Sequence, residues 1–257
     1  MMLVEKMRIV EHVRVAPRIY AMWLEGEMVQ QMKMGQFIHI RVPDQAMLLR
    51  RPISISEIDQ QVFRCRIVYR VDGQGTEVFS QMKSGQYLDV MGPLGTGFSI
   101  DFLNQNDSIL LLGGGIGVPP LMEIAKQAHR MGIKVRVILG FANKEAVILE
   151  EEFRKYGSIS ITTDDGSYGT KGNVATIVNH LSEKFAAIYA CGSPAMMKYV
   201  DQTFHNHPHA YLSLEARMAC GMGACYACVV QSRKGQSHEN QRICKEGPVF
   251  ETGSLLL

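Results

Sequence analysis

Hydrophobic and polar residues alternate along the first hundred positions in the manner of β-strands. Residues 37–42 (FIHIRV) alternate with a period of two, and residues 63–71 form a second strand-like run. Turn-forming sequences recur at 33–35, 72–75, 84–85 and 92–95. Many short strands separated by turns predict a small antiparallel β-barrel over residues 1–100.

The pattern changes after Asp107, where continuous apolar runs alternate with helical segments. Residues 108–112 (SILLL) are uniformly apolar after the serine, which is typical of a strand buried on both faces of a parallel sheet. Further strands are predicted at 133–139, 159–162, 187–191 and 210–214, with helices at 120–131, 145–156, 174–181 and from 193 onward. This alternation predicts a doubly wound, parallel-sheet α/β domain over residues 101–215.

The last part of the chain, residues 216–257, lacks a regular pattern. Its roughly 40 residues bury too little apolar surface to form an independent core. Segments of this size are usually held by a metal centre or by docking to a larger domain. The 257-residue chain is therefore predicted to be a β + α/β protein of two domains with a small C-terminal segment.

Charge and hydropathy argue against several classes of partner. The net charge of +2, from 27 basic and 25 acidic residues, gives no electrostatic reason to expect nucleic acid. The first ten residues lack the apolar core of a secretion signal. The longest tempting uncharged stretch, 108–122, falls short of the ~18 apolar residues of a membrane-spanning helix. We therefore expect a cytoplasmic protein with no membrane partner.

Four of the six cysteines fall in the C-terminal segment, at Cys220, Cys225, Cys228 and Cys244. The C-x4-C-x2-C spacing with a distant fourth cysteine matches the ligands of plant-type [2Fe–2S] centres, where three thiolates come from one tight loop. Small residues between them allow backbone amides to hydrogen-bond to sulfur. A structural zinc site and free thiols remain alternatives, although zinc ribbons usually contain two C-x2-C pairs and this segment contains one.

A glycine-rich turn, GGGIGVPP at 113–120, joins the buried strand to the first helix of the α/β domain. Glycine lets the backbone approach a phosphate, and the helix N-terminus carries partial positive charge, so Gly114, Gly115 and Gly117 are candidates for nucleotide binding. A tight turn without a ligand is the alternative, because proline replaces the third glycine of the standard dinucleotide fingerprint. Cys191 ends another buried strand at the same edge, where it either packs or lies beside the nucleotide.

Several short motifs occur in a recognisable order, with RPIS at 51–54, GPLG at 92–95, the 113–120 turn and CGSP at 191–194. Together they resemble the ferredoxin-reductase-type flavoproteins, in which an antiparallel barrel holds the flavin and an α/β domain holds NAD(P)H. With TDDGSYG at 163–169 and EARMACGMGAC at 215–225, the set is more specifically similar to the electron-transfer subunits of NAD-linked (class 1B) dihydroorotate dehydrogenases. The resemblance covers essentially the whole chain.

The resemblance implies three cofactors: FAD in residues 1–100, NAD in 101–215 and a [2Fe–2S] cluster in 216–257. It implies that Ser54 is catalytic, next to the hydride-accepting nitrogen of the flavin, and that Arg51 contacts the pyrophosphate. The full set of implied FAD contacts is Arg51, Pro52, Ile53, Ser54, Val68, Tyr69, Arg70, Gly75 and Thr76.

The partner implied by the resemblance is an FMN-containing catalytic subunit that oxidises dihydroorotate to orotate, in a heterotetramer with two copies of each subunit. Electrons would pass from FMN through the [2Fe–2S] cluster and FAD to NAD⁺, in pyrimidine biosynthesis. The chain length agrees, because the three parts use all 257 residues and leave no domain for an organic substrate. Two other functions stay open: a reductase subunit of a ferredoxin or hydrogenase-type system with the same cofactors, and a zinc-stapled, non-catalytic binding module.

Overall fold

The N-terminal part of the chain forms a closed six-stranded barrel in a computed structural model that describes residues 2–233 and 240–257. Its strands are β1 (Leu3–Ala16), β2 (Ile19–Glu25), β3 (Phe37–Ile40), β4 (Arg51–Asp59), β5 (Arg64–Arg70) and β6 (Tyr87–Leu94). Neighbours pair antiparallel in the order β1-β2-β5-β4-β3-β6, which confirms the predicted barrel. A 3-10 turn (Glu27–Gln31) precedes β3, and helix α1 (Gln74–Ser80) follows β5.

Strand alternation decides which side chains fill the barrel. In β3, Ile38 and Ile40 are fully buried and pack in the barrel core. Phe37 packs instead in a second apolar core, which the barrel shares with the α/β domain and the C-terminal segment. Because successive side chains of a strand point to opposite faces, His39 shares the outward face with Phe37. This face of β3 is covered by the rest of the molecule.

The middle of the chain forms the predicted doubly wound α/β domain. Its strands are β7 (Ser108–Gly114), β8 (Lys134–Phe141), β9 (Ser158–Thr163), β10 (Thr170–Lys171), β11 (Ala187–Cys191) and β12 (Ala210–Ser213). Its helices are α2 (Met122–Arg130), α3 (Glu150–Arg154), α4 (Val174–Val178) and α5 (Pro194–Phe204). These strands pair in parallel in the order β10-β9-β8-β7-β11-β12. Strand order reverses between β7 and β11, the position where ligands bind in this fold.

One predicted helix is much shorter than expected. The helix predicted over 145–156 is replaced by a 3-10 turn at Lys144–Ala146 and the five-residue helix α3. Leu149 separates them with a left-handed backbone conformation (φ 62°), so helical geometry cannot continue through this position. The acidic run EEE at 150–152 then starts α3, where negative charge favours a helix N-terminus.

The C-terminal segment contains more regular structure than the sequence predicts. Strands β13 (Val229–Gln231) and β14 (Asn240–Arg242) form an antiparallel pair, and β15 (Val249–Glu251) joins the large sheet antiparallel to β12. The expectation that regular structure ends after Glu215 is therefore wrong. Strands of three residues are too short to show a readable period of two, and their pairing partners are distant in sequence.

The C-terminal segment is docked onto both larger domains. The backbone N–H of Thr96, after the last barrel strand, donates to the carbonyl of Gly247 at 2.6 Å. The N–H of Leu214, after β12, donates to the carbonyl of Pro248 at 2.9 Å. Cys228 and Cys244 are buried in the same apolar core as Phe37 of the barrel. Docking thus supplies the core that the segment is too small to form alone.

No helix within residues 2–233 and 240–257 has the length and apolar character needed to cross a membrane.

A buried polar network joins the barrel to the α/β domain. The carboxylate of Glu123, on α2, accepts the backbone N–H of Ile58, in β4, at 2.9 Å. Arg66, in β5, bridges Glu57 of the barrel at 2.9 Å and Glu152 of α3 at 3.2 Å. Burying charged groups stabilises a structure only when they are paired. These paired contacts therefore help to fix the orientation of the barrel relative to the α/β domain.

Candidate functional site

A cavity of about 240 Å³ lies where the barrel, the α/β domain and the C-terminal segment meet. Its wall is made of Phe37, Pro52, Ile53, Ser54, Val68, Tyr69, Arg70, Asp72, Ile116, Pro120, Leu214, Glu215, Ala216, Met218 and Pro248. The barrel contributes β3, β4 and β5, while the α/β domain contributes the glycine-rich turn and the end of β12. A mainly apolar cleft with a few polar groups at a domain junction is a typical cofactor site.

Six of the nine residues implied as FAD contacts line this cavity, and the remaining three lie together beside it. Arg51 directs its guanidinium over Gly75, where an added Cβ would lie only 2.5 Å from Nε. Glycine at this position therefore leaves the space that the arginine occupies. The hydroxyl of Thr76 accepts the N–H of Gly73 at 3.2 Å and donates to its carbonyl at 2.9 Å. It caps the start of α1 in this structure.

Tyr69 is held in the cavity wall by a histidine. Nδ1 of His12 lies 2.9 Å from the carbonyl of Met82, and Nε2 lies 2.9 Å from the hydroxyl of Tyr69. A carbonyl only accepts, so Nδ1 carries the proton and Nε2 accepts the tyrosine O–H. Tyr20 stacks on Tyr69 with ring centroids 5.9 Å apart. Burial raises the pKa of Tyr69, so the phenol stays protonated.

The glycine-rich turn and the end of β11 lie against each other at the point where strand order reverses. An added Cβ at Gly117 would be 2.6 Å from the carbonyl carbon of Cys191, so only glycine permits this approach. Gly115 has a φ of 53° and open space beside its Cα. At Gly114 a Cβ would meet the sulfur of Met196 at 2.6 Å. The structure thus brings Gly114, Gly115, Gly117 and Cys191 to one edge of the sheet.

Cys191 is buried at this edge and is a protonated thiol. Burial is the main cause that raises its pKa, and the neighbouring carboxylate of Glu215 raises it further. A thiol with a raised pKa is a weak nucleophile, so its side chain offers packing and shape at the end of β11.

Three backbone amides surround the sulfur of Cys220. The N–H groups of Met222, Ala224 and Cys225 point to it at 3.5, 3.3 and 3.4 Å. Partial burial opposes ionisation, but these donors outweigh it and lower the pKa of Cys220 to about 6. The local backbone is therefore arranged to hold a thiolate, the form that binds metal.

Cys228 and Cys244 form a second, buried pair of sulfurs. The N–H of Cys244 points to the sulfur of Cys228 at 3.4 Å, and the N–H of Gly223 points to the sulfur of Cys244 at 3.1 Å. Burial and the adjacent sulfur of Cys228 raise the pKa of Cys244 to about 12. The raised pKa of Cys244 means that this thiol needs a nearby cation to become a thiolate, and metal binding supplies that charge.

Side-chain contacts join Cys220 to Cys225 and Cys228 to Cys244, and a charge interaction also links Cys220 to Cys244, so the four sulfurs form two contacting pairs within one group. Within the described ranges, no group of three His, Cys, Asp or Glu side chains is gathered closely enough to hold a single metal ion. A two-iron cluster takes four thiolates, two on each iron, so two pairs suit its ligand set. Amide donors directed at sulfur are also the groups that surround such clusters.

Three family models match successive parts of the chain. The oxidoreductase FAD-binding domain matches residues 2–98, and the oxidoreductase NAD-binding domain matches residues 111–202. The iron–sulfur cluster binding domain of dihydroorotate dehydrogenase B matches residues 215–256.

Curated relatives match over the full length. The dihydroorotate dehydrogenase B (NAD(+)) electron transfer subunit of Streptococcus pneumoniae R6 is 55% identical over 257 residues, covering 100% of both chains. The protein with the same description from Enterococcus faecalis V583 is 48% identical over 259 residues, covering 98% of both. The chain belongs to the family of dihydroorotate dehydrogenase B electron transfer subunits. The resemblance stated from the motifs is therefore confirmed.

Solved structures agree with this family. An NADH-dependent reduced ferredoxin–NADP oxidoreductase, studied for flavin-based electron bifurcation, matches with a TM-score of 0.85 and 29% identity, covering 98% of this chain and 90% of that one. The ferredoxin reductase of carbazole 1,9a-dioxygenase matches with a TM-score of 0.70 at 17% identity, covering 81% and 67%, which shows the shared fold.

The family models confirm the predicted cofactor classes. This member of the electron transfer subunit family has a FAD-binding barrel, an NAD-binding α/β domain and an iron–sulfur segment, and it is an oxidoreductase subunit. The geometry fits these groups, because the cavity joins the barrel to the nucleotide-binding edge and the cysteines form two sulfur pairs.

Glu215 is a cavity residue that reasoning from the sequence did not single out. It follows β12 by two positions and lines the cavity together with Ser54 and Arg70. The carboxylate is accessible to solvent through the open cavity, yet the surrounding protein limits its hydration and raises its pKa, while Arg70 partly opposes this. Its position at the carboxyl end of a parallel strand was the available signal, since ligands bind there.

Arg242 anchors the cysteine loop from outside. Its Nη1 donates to the carbonyl of Gly223 at 2.8 Å, and its guanidinium lies 4.8 Å from the ring centroid of Tyr226. Nε donates to the carboxylate of Glu246 at 3.0 Å. The bond from Arg242 is the main cause that lowers the pKa of Glu246 to about 2. The loop is thus held by a charged pair that persists over most of the pH range.

Proposed function

We propose that this chain passes electrons from a dihydroorotate-oxidising catalytic subunit to NAD⁺ and so serves the synthesis of pyrimidine nucleotides. The observation that carries the proposal is the co-occurrence of the junction cavity and the paired cysteines in a chain that matches electron transfer subunits from end to end. We assign residues 1–100 to FAD, 101–215 to NAD and 216–257 to the [2Fe–2S] cluster.

Arg51 and Ser54 have the central roles at the flavin in this proposal. Arg51 offers a planar fork of donors to the pyrophosphate and packs its guanidinium against the backbone of Gly75. Ser54 offers a hydroxyl in the cavity wall next to the place where hydride is exchanged. Tyr69, fixed by His12, gives the wall a rigid aromatic face. The remaining assigned contacts are Pro52, Ile53, Val68, Arg70, Gly75 and Thr76.

The nucleotide is assigned to the edge of the sheet that borders the cavity. Gly114, Gly115 and Gly117 present backbone without side chains, and Cys191 closes the neighbouring turn. Glu215 lines the same cavity as Ser54 and Arg70, and Arg70 is close enough to influence its ionisation. A carboxyl with a raised pKa is protonated to a larger extent at a given pH than an ordinary glutamate, which makes Glu215 a candidate proton carrier at this point.

We assign Cys220, Cys225, Cys228 and Cys244 as the cluster ligands. When bound, the flavin links the paired electrons of nicotinamide to the single electrons that an iron–sulfur cluster carries. Phe37 lines the cavity and packs in the same apolar core as Cys228 and Cys244. The proposed flavin site and the proposed cluster site are therefore connected by apolar packing. Apolar packing between the two sites lowers the local dielectric there.

The partner assigned to this chain is an FMN-containing catalytic subunit, in a cytoplasmic heterotetramer with two copies of each. Met222 and Tyr226, on the cysteine loop, have 48% and 55% of their surface exposed, although both are large and hydrophobic. Exposed aromatic and methionine side chains are enriched at protein interfaces. We assign this loop as the place where electrons enter from the catalytic subunit.

Co-expression with such a catalytic subunit tests the function. The purified complex should contain FAD and iron and oxidise dihydroorotate with NAD⁺ as acceptor, whereas the catalytic subunit alone should not use NAD⁺. The Cys225→Ser variant should lose iron and NAD⁺-linked activity, with Cys65→Ser as a control outside the C-terminal segment. A chain that prefers NADPH and reduces free ferredoxin would instead be a ferredoxin-type reductase, the alternative that the 29% identical structure suggests.

A further inference from the structure

His39 is a fully buried histidine on the outward face of the flavin barrel. It lies in β3 two residues after Phe37 of the cavity wall, and it pairs with Pro52 of β4. Its exposed fraction is 0%, and neither ring nitrogen has a hydrogen-bond partner of good geometry in the part of the chain that the structure describes. Buried polar nitrogens without partners are uncommon and call for an explanation.

The ring of His39 faces the cysteine loop. An added Cβ at Gly221 would lie 2.3 Å from Nδ1, so the ring is packed directly against the backbone next to Cys220. The backbone groups of Cys220 and Arg50 lie close enough to act on the ionisation of the ring, although neither reaches good hydrogen-bond geometry. A small adjustment of the loop would therefore complete a hydrogen bond from Nδ1.

The backbone of His39 is fixed from the other side. Arg50 donates from Nη1 to the carbonyl of His39 at 3.2 Å and to that of Asp89 at 3.0 Å, and it pairs with the carboxylate of Asp89 at 2.6 Å. The ring consequently has a rigid support in the barrel. A rigid donor beside a metal-binding loop is the usual way in which an outer group orients a ligand.

We propose that His39 is a positioning residue of the electron transfer path: its ring N–H binds the backbone of the Cys220–Gly221 turn and fixes that turn against the flavin barrel. The inference rests on the proposed assignment of Cys220 as a cluster ligand. Through this contact β3, which lines the cavity, directly positions Cys220, the first of the four cysteines. This contact explains both why Nδ1 of His39 is buried without another partner and why residue 221 is a glycine.

Two substitutions of His39 separate hydrogen bonding from packing. His39→Leu keeps apolar volume and removes the donor, while His39→Asn is smaller but places an amide N–H close to the position of Nδ1. The variants are purified anaerobically as holoenzyme with the catalytic subunit. FAD and iron content, the electron paramagnetic resonance g values of the reduced cluster, and the rate of iron loss to a chelator are then measured.

We expect His39→Leu to bind FAD normally, to shift the g values and to lose iron about fivefold faster, the equivalent of one net hydrogen bond. His39→Asn should restore both signals toward wild type. If His39 serves only to fill space, His39→Leu will match wild type in g values and iron loss, and His39→Asn will lose iron faster. That result would overturn the proposal. A wild-type complex without iron would refute the cluster assignment itself, a different result.

Glycine substitutions test the contact from the side of the cysteine loop. Gly221→Ala should speed iron loss, and the increase that it causes should be smaller when it is added to His39→Ala and compared with His39→Ala alone, because the shorter side chain makes room for the methyl group. Gly223→Ala is the matched control, because Gly223 has a similar positive φ (83° against 69°) but its Cβ would meet Lys245. His39→Ala should not relieve Gly223→Ala. Equal behaviour of the two glycines in both backgrounds would contradict the proposed contact.

Discussion

The carboxylate of Glu123 gives the sharpest prediction about how the two large domains are held together. It is 2% exposed, accepts the N–H of Ile58 at 2.9 Å and the side-chain amide of Gln127 at 2.9 Å, and lies 3.5 Å from the ammonium of Lys126. Glu123→Ala would leave the Ile58 N–H unpaired at the domain junction and deprive Lys126 of a partner. An unpaired buried donor costs about 1–3 kcal/mol, and loss of a buried charge partner adds to this.

We therefore expect Glu123→Ala to lower the free energy of unfolding by about 3 kcal/mol, since Lys126 keeps a weaker contact with Glu57 at 4.0 Å. For a chain of this size that corresponds to a fall of about 6–12 °C in apparent Tm. Glu123→Gln keeps an acceptor for Ile58 and should cost about 1 kcal/mol. The measurement is thermal unfolding followed by circular dichroism and by flavin fluorescence.

Glu151→Ala is the matched control for this prediction. Glu151 is 85% exposed at its side chain and forms an ion pair with Arg154 at 3.4 Å. Removing an exposed pair of this kind should change stability by no more than about 0.5 kcal/mol. If Glu123→Ala and Glu151→Ala lower Tm equally, the buried network is not what joins the domains.

Three further predictions concern the site. Ser54→Ala should slow reduction of the flavin by NADH without loss of bound FAD, as followed by stopped-flow absorbance; loss of FAD would show that Ser54 is a binding residue. Glu215 has a raised pKa, so any limb of the pH–rate profile that it causes lies above the ordinary range of glutamate, and Glu215→Gln should abolish that limb. The pKa of Glu246 is lowered from its ordinary 4.5 to about 2, so the stabilisation that its pair with Arg242 gives the folded loop is full above about pH 4.5 and is lost progressively as pH falls toward 2. Iron loss should accelerate over that acid range in wild type, and Glu246→Gln should show the faster loss already at pH 7.

Much of the fold follows from local sequence patterns. The run 108–112 is apolar because its strand is covered on both faces of the sheet, and such runs can be read without a structure. The cysteine spacing is equally readable, because three ligands of one cluster must come from one tight loop. Both patterns express constraints between neighbours in sequence.

Features set by distant contacts could not be read in this way. His39 looks like one more residue of an alternating strand, and its burial against Gly221 depends on the docked C-terminal segment, which is distant in sequence. β15 is a three-residue strand whose pairing with β12 depends on docking rather than on local pattern. Leucine is not a residue type that favours a left-handed backbone, so the sequence around Leu149 gives no sign that the helix after it is short. Glu215 became a candidate only once β12 was placed beside the cavity.

The central claim is that electrons pass between dihydroorotate and NAD⁺ through the cofactors of this chain. The most direct test uses the purified complex with the catalytic subunit, to which dihydroorotate and then NAD⁺ are added anaerobically. Flavin absorbance and the electron paramagnetic resonance signal of the reduced cluster are recorded after each addition. We predict that dihydroorotate bleaches the flavin and produces the cluster signal, and that NAD⁺ reverses both. Bleaching of FMN alone, with no cluster signal and no response to NAD⁺, would contradict the account.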